Sequence, residues 1–518
     1  MGSSTRNPKI NIQLLAAGLP QTIEGRRDLI IGQLGASATA TSGALELNVQ
    51  DLTLAQVATK FGASTDLYYK IKNFRDGNDR VSQLDVIGLD PNGSGVAAAS
   101  SIQVTGTATA DSTLTVTVVD ETEWSFDVSI TSGDANTVVS AAINTAAGLL
   151  TAPVFTSGVS TDTVTFTAVD VGTIPNAYGL KIEGDTPGLT YTVTGWASGA
   201  NDPTTTGVLD PISGIRYNGL HWPETWYSDI DTPIDVFDTR FNTANEIMDG
   251  VVFTGKTDTF ANSKAAALAQ NSQSLVLWGN AKLNLASIKG PAIMQPADWS
   301  CCYFMGVRSK RLSDGSLISS DVTTLAPLDA FGGIGLASLP YFNTPLRNAP
   351  ITATTYLFDN TEQEELEESG FTAFGVNKAN NLMITGPVVT TWTTDSSGSP
   401  NTSFLWLNNV DTASVCREYI FNNLFADFSQ TRLTEGDLVA GISMTNAGDI
   451  KAKLLKYYKQ LSAVGLVQAG SDAEKNFSQK TVVTVDLAAG SVTIYGPLTI
   501  VTAARRFDYS LSLSFSIS

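Results

Sequence analysis

The sequence holds a single histidine, His221, in 518 residues. Any mechanism that uses an imidazole as base must run through that one side chain. It sits in Gly219-Leu220-His221-Trp222-Pro223-Glu224-Thr225-Trp226, an aromatic loop in which packing is the simpler role. Cysteine is nearly as scarce, with Cys301, Cys302 and Cys416. An odd count with an adjacent pair matches neither a disulfide framework nor a zinc site, so buried reduced thiols are expected. Bases are few, 31 against 50 acids, for a formal net charge of −19. Nucleic acid is therefore not an expected partner, because binding it needs Lys and Arg on phosphates. Anionic membranes are disfavoured for the same reason. No apolar run reaches the roughly 18 residues of a membrane helix, so no membrane insertion is expected. The opening MGSSTRNPKINIQ is polar and lacks the apolar core of a signal peptide, which points to folding in the cytosol. No P-loop, EF-hand or metal-spaced cluster appears, and Gly333-Ile334-Gly335-Leu336-Ala337 lacks the preceding strand of a dinucleotide turn. No enzyme, cofactor or metal is expected.

What is present is an ordinary hydrophobic content of 42%, a low charged content of 16%, and much Gly, Ser, Thr, Ala and Asn. That texture fits β-rich, loop-rich architecture with quiet surfaces, as in assembly proteins, and the length allows two to four domains. The last ten residues alternate without a fault: Tyr509, Leu511, Leu513, Phe515 and Ile517 take turns with Ser510, Ser512, Ser514, Ser516 and Ser518. Successive strand side chains point to opposite faces, so this is a strand with one apolar face and one hydroxyl face. A strand at a free chain end must find partners for its backbone groups, in its own sheet or another chain's. Ile10, Ile12 and Leu14 repeat the pattern at the front.

The expected fold class is a multidomain α+β or α/β protein. It has mixed-sheet core domains, an inserted all-β sandwich-like domain, and extended N- and C-terminal β arms. Residues 1–25 form the N-terminal arm. Residues 26–95 open the α/β core, with a buried strand at Leu29-Ile30-Ile31-Gly32, helices over Thr53 to Phe61 and Thr65 to Phe74, and a strand over Val81 to Leu89. Residues 96–206 form an outer β-rich insert of alternating Thr and Val, with one helix over Asn136 to Leu149. Within it, 96–202 holds eleven acids and one base, Lys181, which places it facing solvent. Residues 207–350 resume the core. Helices are expected over Pro233 to Met248 and Phe260 to Gln270, strands at Val251 to Phe253 and Leu275 to Trp278. Proline density makes 290–350 irregular.

Residues 351–502 form a C-terminal domain. It begins with an acidic helix from Glu362 to Ser369, favoured at its N-terminus by the macrodipole. Strands follow at Phe371 to Val376, Leu382 to Thr385 and Val388 to Trp392. Two long helices carry apolar stripes, Cys416, Ile420, Leu424, Phe428 and then Ile450, Leu454, Tyr458, Leu461. Strands near 481–487 and 491–501 lead to the C-terminal arm, 503–518. The second long helix also carries Lys451, Lys453, Lys456 and Lys459 in a base-poor chain. That is either a solvated face or, at Lys453, Lys456 and Lys459, a positive surface for an acidic partner.

The order of these parts resembles the tail sheath proteins of contractile bacteriophage tails, in particular the Mu-like branch. The resemblance is carried by Arg27-Asp28-Leu29-Ile30-Ile31-Gly32-Gln33 with Phe61-Gly62, and by Val104-Thr105-Gly106-Thr107-Ala108-Thr109 opening the insert. Thr344-Pro345-Leu346-Arg347-Asn348 and Glu362-Gln363-Glu364-Glu365-Leu366 with Gly370-Phe371-Thr372 resemble the sheath core. The layout from Ile450-Lys451-Ala452-Lys453 through Tyr495-Gly496-Pro497-Leu498 to the Phe507–Ile517 strand resembles the family's C-terminal domain. The segment 300–345 departs from that layout. The resemblance implies a structural subunit that stacks as hexameric rings in a helical tube around an inner tail tube protein. Baseplate and tail terminator proteins are further partners. The implied place is the virion tail, assembled in the host cytoplasm, and contraction serves viral genome ejection. It also implies terminal arms that add strands to neighbouring subunits. The alternative reading is an extracellular β-rich adhesin or carbohydrate-binding protein, supported by the Thr/Val-rich insert. A polysaccharide hydrolase would need a carboxylate pair, and nothing singles one out.

Overall fold

The structure is a computed structural model that describes residues 12–13, 26–63, 65–120, 123–151, 153–242, 248–279, 297–314, 341–342, 344–346, 357–376, 382–438 and 442–502. A short N-terminal strand, β1 (Ile12–Gln13), precedes the core. The core opens with β2 (Arg27–Gln33), β3 (Leu45–Glu46), α1 (Leu54–Phe61), α2 (Asp66–Asn78) and β4 (Gln83–Leu89). Both helices start where a threonine caps them. Thr53 accepts from the Gln56 amide in a capping box, and Thr65 accepts from the Tyr68 amide.

The chain then leaves the core through β5 (Ala97–Gly106), β6 (Ser112–Val119), β7 (Glu123–Ile130), α3 (Asn136–Ala147), β8 (Phe155–Ser160), β9 (Thr163–Val171), β10 (Gly179–Glu183) and β11 (Leu189–Ala197). These form two antiparallel sheets, β10-β6-β7 and β11-β5-β9-β8. Alternate residues such as Ile102, Val104, Val116, Val118, Val164 and Phe166 point inward and form a core of their own with Val139 and Ile143 of α3. The neck is closed by the Val96 amide on the Ala200 carbonyl at 2.9 Å. Entry and exit are thus neighbours. A variant in which a short linker replaces residues 96–202 is expected to keep the core folded. The excised segment is expected to melt cooperatively on its own, and circular dichroism of the two pieces checks both outcomes.

The core resumes with β12 (Gly219–His221), α4 (Asp231–Asn242), β13 (Val251–Gly255), α5 (Phe260–Gln270), β14 (Leu275–Gly279), α6 (Ala297–Asp314), α7 (Asn360–Glu368) and β15 (Phe371–Ala373). One seven-stranded sheet runs β15-β14-β13-β12-β2-β4-β3, parallel except for β3. Ile30, Val86, Phe253 and Val276 face α1, α2 and α6. Leu29, Ile31, Leu220, Val252 and Leu277 face α4, α5 and α7. Both sheet faces are covered, which is why these strands read as continuous apolar runs.

The helix α6 overturns the expectation of irregular structure over 290–350. It is buried nearly all round, so it has no polar stripe to betray its period. It lies directly on α2. A Cβ on Gly77 would come within 2.3 Å of the Tyr303 carbonyl oxygen, and one on Gly306 within 2.2 Å of that of Phe74. Two glycines therefore let the helix backbones touch.

The chain ends with β16 (Gly375–Val376), β17 (Leu382–Met383), α8 (Leu407–Phe428), β18 (Arg432–Leu433), β19 (Met444–Thr445), α9 (Ala447–Ala463), α10 (Ser471–Lys480), β20 (Val482–Asp486) and β21 (Ser491–Tyr495). The expected strand over Val388–Trp392 is not one. It is a buried extended segment with a single bridge, Val389 to Trp406, and Thr372 clasps it by accepting from the Val389 amide and donating to its carbonyl. The expected helix over Pro233–Met248 begins at Asp231, and Met248 lies outside it. The single domain expected over 351–502 is divided between two cores. β15 and α7 belong to the large sheet, whereas the later part of α8 packs with α9, α10 and β21 in a separate cluster.

Candidate assembly surfaces

The C-terminal hairpin is built for pairing on both sides. In β20 and β21, Val483 stands opposite Ile494 and Val485 opposite Val492. Val492 and Ile494 are anchored in the cluster formed with Cys416, Ile420, Leu454 and Tyr458. The outer edge of β21 is taken by β1, with Ile12 opposite Ile494 and Gln13 opposite Thr493. A segment from the front of the chain thus completes a sheet more than four hundred residues away, and within this single chain the pairing is intramolecular. The outer edge of β20 carries no strand among the described residues. Its cross-strand pair Val482 and Tyr495 is 55% and 43% exposed, a greasy lip beside an open edge. Ile10, Leu14 and the terminal series Tyr509, Leu511, Leu513, Phe515 and Ile517 lie outside the described residues.

The lysines of α9 divide in two. Asn446 caps the helix by accepting from the Asp449 amide. Ile450, Leu454, Tyr457, Tyr458 and Leu461 make its buried stripe. Lys453 donates to Asp427 of α8 at 2.9 Å, and the Tyr457 hydroxyl donates to the same carboxylate. Those two bonds hold the Asp427 carboxyl below its ordinary range, and Asp427 raises Lys453 in turn. Lys453 is thereby engaged inside the chain. Lys456 and Lys459 instead line an open groove of about 430 Å³ with Ala452, Leu455, Gln460 and Ala463. Among the described residues, Lys459 makes a long contact of 3.9 Å to Glu474.

His221 is not in a loop. It is the last residue of β12, fully buried, with Nε2 3.2 Å from Asp298. Burial lowers its pKa and keeps the ring neutral. The Asp298 carboxylate also accepts from the amides of Gly255 at 2.8 Å and Glu224 at 2.9 Å, and lies 3.1 Å from Lys70 Nζ. Lys70 in turn meets Asp66 at 2.6 Å. Burial pushes Glu224 up to about 7. Sequence reasoning missed Asp298 and Lys70, because neither sits in a recognisable motif. These groups spend their bonds on strand ends and helix starts. Among the described residues no group of three or more His, Cys, Asp or Glu is placed to hold a metal ion. The three cysteines are free and buried. No helix among the described residues is long and apolar enough to cross a membrane.

No family model matches the chain, and no curated protein matches it. Among solved structures, the sheath tail protein Lin1278 of Listeria innocua is similar at 10% identity, over 93% of this chain and 95% of that one, with a TM-score of 0.47. The flagellar cap protein FliD of Escherichia coli is similar at 15% identity, over 48% of this chain and 80% of that one, with a TM-score of 0.14. Both scores fall below 0.5, so neither likeness decides the function of this chain.

The acidic run in α7 is not confined to a helix N-terminus. Asp359 caps the helix in a capping box with Glu362, but the acids continue to Glu368 in the last turn. Glu367 is pushed up to about 8 by burial and by Glu364 and Glu368 beside it. Its carboxylate lies against Gly386, where a Cβ would come within 1.8 Å.

A second buried acid gives a pH test. Asp28 on β2 is fully buried, and neither oxygen has a hydrogen bond of ordinary geometry, although the Ser309 and Ser82 hydroxyls stand near. Burial pushes it up to about 7 against the pull of Ser309, Arg308 and Arg26. The folded state therefore prefers the neutral acid. That contribution is complete below the unfolded pKa near 4 and is lost as pH rises through about 7. Asp28→Asn should match the parent at about pH 3, below the unfolded pKa, and exceed it by about 1–3 kcal/mol at pH 8. Thermal melts across pH check this, and a variant that melts lower at pH 8 contradicts it.

Proposed function

We propose that the chain is the structural subunit of a contractile tail sheath, polymerising as stacked hexameric rings around an inner tube. The observation that carries the reading is the three-stranded sheet β1-β21-β20, in which a strand from the front of the chain completes a distant hairpin whose other edge carries no strand among the described residues. Exchange of a terminal strand between identical subunits needs no new contacts, since the same pairing forms across the boundary. The C-terminal ribbon, with Tyr509 to Ile517 alternating apolar and serine, has the sequence of a strand suited to the β20 edge. A one-residue slip would bury serines and expose Phe515, so its register is well specified. Each backbone bond contributes only roughly 0.5–1.5 kcal/mol, and repetition along a tube supplies the strength. Bodies joined by such ribbons can rotate while the pairings persist, which is what contraction requires. The 96–206 domain, attached by one neck, would stand on the outside, and terminal baseplate and terminator proteins would bound the tube in the virion tail. Electron microscopy of the purified protein tests the reading: tubes support it, and monomers that bind or cut glycans support the adhesin or hydrolase alternatives.

Lys456 and Lys459 are the cations on α9 best placed to face an acidic tube protein. Lys456→Glu with Lys459→Glu should weaken tube association about tenfold, in line with roughly 0.2–1 kcal/mol per exposed pair repeated over many subunits. Co-sedimentation with tubes measures it, and unchanged association removes these residues from the interface. Lys453→Glu should instead loosen the α8–α9 contact by breaking the Asp427 pair.

A further inference from the structure

The insert guards two of its four sheet edges with charge and leaves two without. In the sheet β10-β6-β7 the edges are β10 and β7. β10 carries Lys181 and Glu183, whose side chains meet at 2.6 Å, and β7 carries Glu123 and Asp127 on its exposed face. Charge on an edge strand resists pairing with another chain. In the sheet β11-β5-β9-β8 the edges are β11 and β8. Their sequences, LTYTVTGWA and FTSGVS, hold no acid, base or proline, although residues 96–202 hold eleven acids. Thr156 and Gly158 on β8 are exposed, as are Thr190, Thr192 and Thr194 on β11, and Val159 is 41% exposed. Among the described residues, β8 and residues 190–197 of β11 make backbone bonds only to β9 and β5. Their outer N–H and C=O groups face no strand there.

β11 is antiparallel to β5, β5 to β9, and β9 to β8, so β11 and β8 run in opposite directions. A copy of the sheet moved sideways therefore continues the antiparallel alternation, with β8 of one insert against β11 of the next. Such a head-to-tail contact repeats without closing. It also uses both unguarded edges, whereas a twofold pairing of β8 with β8 leaves β11 open. Like charge keeps the acidic inserts apart elsewhere, and these edges are where they can approach.

We propose that the inserts of successive subunits join edge to edge, β8 to β11, in one continuous antiparallel sheet. The partner is a second copy of this chain; that copies stand in a repeating row rests on the sheath reading. Val159 shares the core-facing side of its strand with Phe155, as half-buried Val193 does with Leu189 on β11, so pairing covers apolar surface as well as joining backbones.

Thiol crosslinking of the full chain under polymerising conditions tests this, with Thr156→Cys on β8 and Thr192→Cys on β11. Cys301, Cys302 and Cys416 are buried with their thiols pushed up, so reaction is confined to the introduced sites. Within one insert those sites lie three strand spacings apart, about 14 Å, beyond a short bismaleimide that spans direct or diagonal cross-strand neighbours. The double variant should give a ladder of dimers, trimers and higher species on a denaturing gel, and each single variant only monomer. Ser160→Cys with Thr190→Cys, also exposed, serves if the first pair fails to fold. Val159→Glu added to the double variant should abolish the ladder. No ladder from either pair, a ladder that survives Val159→Glu, or dimers from Thr156→Cys alone as abundant as from the double variant would overturn the contact. Ladders without tubes support the contact and sink the sheath reading; tubes without ladders sink the contact and leave that reading standing.

Discussion

Removal of residues 505–518 is expected to leave a folded monomer that no longer forms tubes. Among the described residues, which end at 502, the C-terminal hydrophobic cluster is already supplied by α8, α9, α10 and β21. The last described anchor is the Val501 amide on the Leu466 carbonyl at 3.0 Å. Melting temperature should therefore change by no more than a degree or two, while sedimentation shifts from polymer to monomer. Intact tubes from the shortened chain would remove the ribbon from assembly. A fall in melting temperature of ten degrees would mean that the ribbon is part of its own subunit's core.

The largest stability effect is expected at Asp411. This fully buried carboxylate on α8 accepts from Arg308 Nε at 3.1 Å and from the Tyr341 hydroxyl at 2.9 Å, with Arg308 Nη2 closing the fork. Arg308 on α6 also donates to the Asn218 carbonyl at 2.9 Å, just before β12. One pair thus ties the central sheet, α6 and α8 together. Asp411→Ala strands a buried guanidinium and should cost about 3–5 kcal/mol, a large share of the roughly 5–15 kcal/mol that holds a domain. Asp411→Leu with Arg308→Met removes both charges and should recover most of the loss. Denaturant titration reads both values. A single variant within 1 kcal/mol of the parent, or a double variant no better than the single, would contradict this role for the pair.

The parts of the fold with strong local signals were legible in the sequence. Leu29 to Gly32 sits in a strand, and Thr53 and Thr65 cap the helices they precede. The Thr/Val texture of the insert corresponds to two sheets, because one face of each strand is buried and the other is wet. What failed depends on tertiary surroundings. α6 has no amphipathic period because it is enclosed on all sides, and Pro296 just before it suggested a loop. α10 has one apolar anchor, Phe477, stacked on Tyr458 at 4.6 Å, too little to register as a stripe. Val388 to Trp392 has a strand's composition, yet side-chain hydroxyls rather than a ladder hold it. Among the candidate assembly residues, Ile12 is paired as a strand, within its own chain. The engagement of Lys453 was invisible in sequence, since its partner Asp427 lies on another helix.

A density map of the native polymer tests the central claim most directly. The account predicts continuous density for residues 509–517 as a strand along the outer edge of β20 in an adjacent subunit, its leucines and Phe515 on one face. Density that returns this ribbon to its own subunit, with no strand crossing between neighbours anywhere in the tube, would contradict it.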